Sequence, residues 1–223
     1  MKNPRPKSEE SIAKIELEYT YEIKLPSIGE QPLVNFAEVL EVRKSSRDFG
    51  PISIFQLSEV LFLSSRVKVH VTNENGYVLN HKPFPSAGAR HPIDIFISSK
   101  TLFQNNKLLF YDGDNHVLKA LNIDENVCTQ LMTHLLESFP NSEEATIIWF
   151  IAFPQKTAAK YDNYESLIWR DIGALANTIH LTCTFFGLNS CISGTLGYPY
   201  ISKIFEGYTI QSGGAILIGS KTN

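Results

Sequence analysis

The sequence predicts an α+β fold: one sheet with helices packed on it. Three observations lead there. Residues 146–153 are a dense apolar run of strand length, as expected of a central strand covered on both faces. Ile168, Ile172, Leu175, Ile179, Cys183 and Phe186 recur at spacings of 4, 3, 4, 4 and 3, the buried stripe of a long helix. Helical and strand patterns are interspersed along the chain without a clean βαβ rhythm.

The elements follow in order. Residues 1–13 read as a disordered lead. From Ile15 to Leu25, Ile15, Leu17, Tyr19, Tyr21, Ile23 and Leu25 alternate with polar residues, which predicts a strand with one buried face and an arm suited to lying on a partner chain. Residues 34–44 read as a helix with Phe36, Val39 and Leu40 inward. Ser53, with Gln56 three residues later, forms a capping box that opens a second helix, and Leu57, Val60, Leu61 and Ser64 continue one face. Residues 66–82 read as a strand and turn around Asn75-Gly76. Ile93–Ile97 is a strand. Residues 108–111 and 116–118 form a hairpin across Asp112-Gly113-Asp114-Asn115. Asp124 caps a helix reaching about Phe139, with Val127, Leu131 and Leu135 on one face. Gly187 stops the long helix in the C′ position, residues 187–197 read as a loop, and Ala215–Ile218 is a last short strand.

Composition narrows the function. The chain has 223 residues, 43% hydrophobic and 19% charged, the profile of a globular protein. Lys and Arg total 20 against 23 Asp and Glu, a net charge of −3 that disfavours a nucleic-acid binder. Cys128, Cys183 and Cys191 form no CxxC pair and are odd in number, which predicts a reduced, cytoplasmic protein. The first ten residues have no apolar core, and no apolar run approaches the ~20 residues of a spanning helix. The histidines show neither HxxxH nor HxH, so no metal site is expected. Walker, GxGxxG and GxSxG patterns are absent.

Four segments carry candidate chemistry. Arg43-Lys44-Ser45-Ser46-Arg47 places three cations and two hydroxyls at a helix end, able to neutralise a phosphate dianion. Its plain alternative is a solvated basic turn. Pro85-Ser86-Ala87-Gly88-Ala89-Arg90-His91-Pro92 sets small residues between prolines before a strand, letting backbone approach a planar ligand. An ordinary tight loop is the alternative. Lys160-Tyr161 offers a base and a proton donor, or a surface pair with a snorkelling lysine. Gly187–Gly197, with Ser193 and Gly194, is a cofactor-facing loop or a flexible connection.

The order of these segments resembles the SagB-type dehydrogenases of the nitroreductase superfamily. The resemblance is carried by Ile23-Lys24-Leu25-Pro26 leading into Arg43–Phe49, by Pro85–Pro92, and by Tyr164 to Thr195 with Arg170, Gly173, Gly187-Leu188 and Gly194. It covers residues 23–220. It implies a nitroreductase-like, FMN-dependent fold with a central, mainly antiparallel sheet flanked by helices. Residues 1–30 would be an N-terminal extension and residues 31–223 the FMN-binding domain. It further implies a homodimer with FMN at the subunit interface. Arg43, Ser45 and Arg47, helped by Lys44, would hold the phosphate and ribityl chain. Ser86, Ala87 and Gly88 would reach the flavin from the partner chain, and Ser193 and Gly194 would sit near its reactive edge. Lys221 would add a phosphate cation. Lys160 or Tyr161 would take a ring proton while FMN accepts the hydride, oxidising a thiazoline, oxazoline or related peptide- or amino-acid-derived substrate in natural-product biosynthesis, with oxygen as final acceptor and biosynthetic partner proteins. An NAD(P)H-dependent nitro- or quinone reductase is the enzymatic alternative, and a non-catalytic flavin-binding or docking subunit the other.

Overall fold

A computed structural model describes residues 2–10, 12, 15–74, 76–103 and 106–222. The elements are β1 (Arg5–Pro6), β2 (Tyr19–Lys24), α1 (Phe36–Val42), α2 (Ile54–Ser65), β3 (Val69–Thr72), β4 (Val78–His81), β5 (Ile93–Ser98), β6 (Leu109–Asp112), β7 (Val117–Leu121), α3 (Glu125–Leu136), β8 (Thr146–Ala152), α4 (Gln155–Ala158), β9 (Tyr161–Asp162), α5 (Glu165–Phe185), β10 (Asn189–Ser193), α6 (Tyr200–Ile204) and β11 (Gln211–Gly219). Seven strands form one sheet in the order β10-β11-β8-β5-β6-β7-β2, each neighbouring pair antiparallel.

The continuous apolar run of β8 has a direct cause. Ile148 and Phe150 face one core with α2 and α5, while Ile147, Trp149 and Ile151 face a second core with α3 and α6. A strand with helices on both faces cannot alternate, because each outward position is another core's inward one. At about 1.5–3 kcal/mol per fully buried large apolar side chain, this strand is a main source of the fold's stability. Trp149 keeps its one polar atom satisfied, its Nε1 donating to Ser98 Oγ at 3.2 Å.

The capping box at Ser53 and Gln56 is present in both directions. Asp124 accepts from the Asn126 N–H at 2.9 Å. The long helix ends as expected. Gly187 has φ +70°, the Leu188 N–H reaches the Cys183 carbonyl and the Gly187 N–H reaches that of Thr184. These two bonds make a Schellman motif, which requires the left-handed residue that glycine supplies at least cost. Asn75 lies outside the described residues, but the β3–β4 hairpin around it is formed.

Four expectations are corrected. In α1 only Val39 is buried, whereas Phe36 and Leu40 are 65% and 51% exposed. A helix of seven residues presents one inward side chain to α5, and its other apolar groups lie outside the core. The alternating segment begins its strand at Tyr19, not Ile15, and is the edge strand of this chain's own sheet. Ile15 and Leu17 pack on the second core ahead of it. The lead expected to be disordered is ordered over residues 2–10, through β1 and a buried ion pair described below, whereas Met1, Ser11 and Ala13 lie outside the described residues. Residues 187–197 hide β10, whose Asn-Ser-Cys-Ile-Ser sequence has little strand character and is fixed by pairing with β11.

Candidate functional site

The basic loop and the residues that follow it are held by contacts to α5, β10 and the end of β11. Arg43, at the end of α1, directs Nη1 at His180 Nε2, 3.0 Å away. A guanidinium only donates, so Nε2 must accept. The proton then sits on Nδ1, which donates to Ser190 Oγ at 2.6 Å. His180 is therefore neutral, and burial first, then the Arg43 charge, hold its pKa below the ordinary value. Farther along the loop, the Ser46 N–H donates to the Ser190 carbonyl at 3.1 Å, and Asn189 Nδ2 donates to the Asp48 carbonyl at 2.7 Å. Gly50 and Ser220 exchange main-chain bonds, and the Thr222 hydroxyl donates to the Asp48 carboxylate.

These ties bring the loop after α1 to the residues that follow β11. Lys44 and Lys221 line one cleft of about 280 Å³ with Val42, Thr184, Leu188 and Asn189. Among the described residues no carboxylate lines it, so the two lysines border a space without a counter-charge there. Ser45 is exposed on the same loop. Arg47 is not brought to this cleft, because its guanidinium lies over the Phe139 ring, 5.2 Å from the centroid. Ser193 ends β10, paired with Ala215, and Gly194 follows it, exposed and with open space beside its Cα.

The second cluster is built around Asp171 of α5. Ser86 Oγ donates to its carboxylate at 2.5 Å, and the Ala87 N–H donates to both of its oxygens at 3.2 and 3.3 Å. Ser86 Oγ also accepts from the His91 N–H at 2.9 Å. Residues 87–89 make one 3₁₀ turn, with Gly88 at φ +59°. A Cβ on Gly88 would lie 2.8 Å from the Tyr161 hydroxyl. Glycine is thus favoured there twice, for its backbone angle and for room. Tyr161 stands against the turn, and Lys160 before it is half-buried just after α4. Burial pushes the Asp171 pKa up, opposed by the bonds from Ser86 and Ala87.

Each chain holds these clusters apart. Asp171 and His180 are nine residues apart on α5. At 1.5 Å and 100° per residue, that is about 13 Å along the axis and roughly 180° around it. The Ser86–Gly88 turn and Tyr161 occupy one flank of α5, and the Arg43–Lys44 loop occupies the other.

Sequence reasoning missed Asp171, His180 and Glu9. The first two left a signal, being polar side chains at the edges of an otherwise apolar helical stripe. Glu9, which pairs with Arg90, left none.

No family model matches the chain. It is 26% identical over 191 residues to a protein of Methanocaldococcus jannaschii provisionally named a nitroreductase, covering 84% of this chain and 90% of that protein. Among solved structures, a provisionally named nitroreductase from Ralstonia eutropha superposes with a TM-score of 0.65 at 18% identity, covering 96% of this chain and 99% of the other. The chain has the nitroreductase fold. The E. coli microcin synthetase McbBCD complex with truncated pro-MccB17 bound contains a chain that matches with a TM-score of 0.61 at 16% identity, covering 89% and 77%. A nitroreductase with bound FMN from Desulfitobacterium hafniense matches with a TM-score of 0.51 at 14% identity, covering 86% and 92%. Within this nitroreductase fold, no helix of the described residues is long and apolar enough to cross a membrane.

The neutral His180 has a measurable consequence. A histidine whose folded pKa is depressed contributes stability that is complete above its unfolded value of about 6.5 and lost as pH falls. Between about pH 7 and pH 5, chemical denaturation should show wild type losing more stability than His180→Asn. Equal losses in the two proteins would contradict a neutral ring accepting from Arg43.

Proposed function

We propose that this protein is an FMN-dependent oxidoreductase of the nitroreductase superfamily, of the SagB type, working in the cytoplasm as a homodimer with FMN at the subunit interface. The observation that carries the reading is the cleft shared by Lys44 and Lys221, lined by no carboxylate among the described residues. A phosphate dianion meets two ammonium groups there, with Arg43 braced nearby on His180. Ser45 and Arg47 contribute from the same loop to the phosphate and ribityl chain, Arg47 after leaving Phe139. Ser193 and Gly194 offer small groups and open space for a ring edge. These residues fit FMN, which when bound supplies the hydride acceptor. The FMN-bound neighbour of the same fold favours that cofactor.

The Ser86-Ala87-Gly88 turn lies on the far flank of α5, so it completes this site from a second copy. An apolar surface supports that copy. Phe36, Leu40 and Val42 are exposed on α1, beside a groove of about 330 Å³ lined by Val34, Leu63, Leu181 and Phe185. Lys160 and Tyr161 then act on the substrate, one of them removing the ring proton of a thiazoline or oxazoline on the way to a thiazole or oxazole. The microcin synthetase neighbour, solved with a bound precursor, favours a peptide-derived substrate and biosynthetic partner proteins. The name of the archaeal relative favours the second reading, an NAD(P)H-dependent reductase.

The purified protein should be yellow and release FMN. Lys44→Ala and Lys221→Ala should each weaken FMN binding about tenfold or more, the worth of one charge-assisted hydrogen bond. A colourless protein that takes up no added FMN contradicts the reading. With an azoline substrate, Lys160→Ala should lose at least about 100-fold in turnover at unchanged FMN content. Bleaching of bound FMN by NAD(P)H, with the azoline inert, would favour the reductase.

A further inference from the structure

Residues 2–10 lie extended along the segment that carries Lys160 and Tyr161. Arg5 and Pro6 pair with Asp162 and Tyr161. The Lys7 N–H donates to the Lys160 carbonyl at 2.9 Å, and the Glu10 N–H to the Ala159 carbonyl at 3.0 Å. Asn163 Nδ2 donates to the Asn3 carbonyl at 3.2 Å. Such bonds involve backbone on at least one side and carry little information about the strap's own side chains.

Glu9 is the exception. Its side chain, 6% exposed, is ion-paired with Arg90, whose side chain is 2% exposed. It also accepts from Asn73 Nδ2 at 2.9 Å. Arg90 belongs to the Pro85–Pro92 turn, stacks on the Tyr77 ring at 4.1 Å, and buries Nε and Nη1 with no hydrogen-bond partner among the described residues. A guanidinium this deep is costly without a carboxylate. Here the carboxylate comes from a strap near the chain terminus. A cavity of about 540 Å³ is lined by Lys7, Glu10 and Ile12 together with Pro154, Ala158 and Tyr208.

We infer that the edge of β9 and the buried Arg90 form a groove for an extended peptide bearing a carboxylate, and that residues 2–10 fill it as an internal occupant. The recognition is strand addition: main-chain bonds along residues 159–162 give affinity, and Arg90 selects the acidic side chain. An internal occupant lowers the apparent affinity of an external peptide by the fraction of molecules in which the groove stands open. The groove's place beside a working Lys160–Tyr161 pair rests on the proposed function, but peptide binding does not, so it is measured without flavin or turnover.

The probe is a fluorescent peptide with the sequence of residues 2–10, titrated into the full chain and into its Glu9→Gln variant. The peptide should bind the variant at least about tenfold more tightly than wild type, because the variant's own strap is released. A probe with glutamine in place of Glu9 should bind the variant about tenfold or more weakly than the unmodified probe. Hydrogen exchange at the chain's own Lys7 and Glu10 amides should quicken in the variant and stay fast with the probe bound, because the probe takes the strap's place on the Lys160 and Ala159 carbonyls. Lack of binding to a Glu9→Gln chain whose core amides stay protected, or equal binding of the two probes, overturns the proposal. If Glu9→Gln does not fold, Lys7→Pro, which deletes one strap bond and leaves Arg90 paired, takes its place, read by tighter binding of the unmodified probe to it than to wild type and by faster exchange at the Glu10 amide, with no binding as the result that overturns the proposal.

Discussion

The buried face of α5 holds a row of aliphatic side chains with a carboxylate at one edge and an imidazole at the other, and both polar groups must find partners inside the protein. Burying either one unbonded would cost on the order of 1–3 kcal/mol. Asp171 takes its hydrogen bonds from Ser86 and Ala87, and His180 binds Arg43 and Ser190. Satisfying the helix therefore fixes the two loops most suited to a cofactor, one on each flank. The sheet supplies the platform. Its doubly covered strand β8 leaves α5 no freedom to rotate, because Ile168, Ile172, Leu175 and Ile179 are committed to the core below.

The division of the site follows from that commitment. A rigid helix of 21 residues cannot bring opposite flanks to one ligand, so in the proposed dimer the cationic cleft of one chain and the small-residue turn of another would be the complementary halves. The exposed apolar side chains of α1 lie next to α5 and are what such an arrangement would cover. The same geometry sets Tyr161 against Gly88, linking the candidate proton-transfer pair to the turn. The N-terminal strap then closes over that region, with Glu9 compensating the charge of Arg90.

Much of this could be read in the sequence, for identifiable reasons. The capping box at Ser53, the stripe of α5 and the stop at Gly187 depend on local chemistry, and each is present as expected. The cationic loop and the Pro85–Pro92 turn were likewise visible as unusual composition. What escaped depends on contacts distant in sequence. Strand β10 exists because β11 pairs with it, and nothing in Asn189–Ser193 announces a strand. The ordering of residues 2–10 rests on Arg90, about eighty positions away. Phe36 and Leu40 were expected inward because apolar residues at helical spacing usually mark a core face, yet here they mark a surface. The meeting of Lys44 with Lys221 needed the Gly50–Ser220 bridge, which no local pattern encodes.

A mixed dimer tests whether one site is assembled from two chains. One subunit carries Lys44→Ala and Lys221→Ala, and the other carries Gly88→Val, which the +59° backbone angle and Tyr161 disfavour. Neither variant alone should retain FMN. Co-expressed and purified as the mixed dimer, the pair should hold one FMN per dimer, because one interface joins the intact basic cleft to the intact turn. A mixed dimer that holds none would place both halves in a single chain and contradict the account.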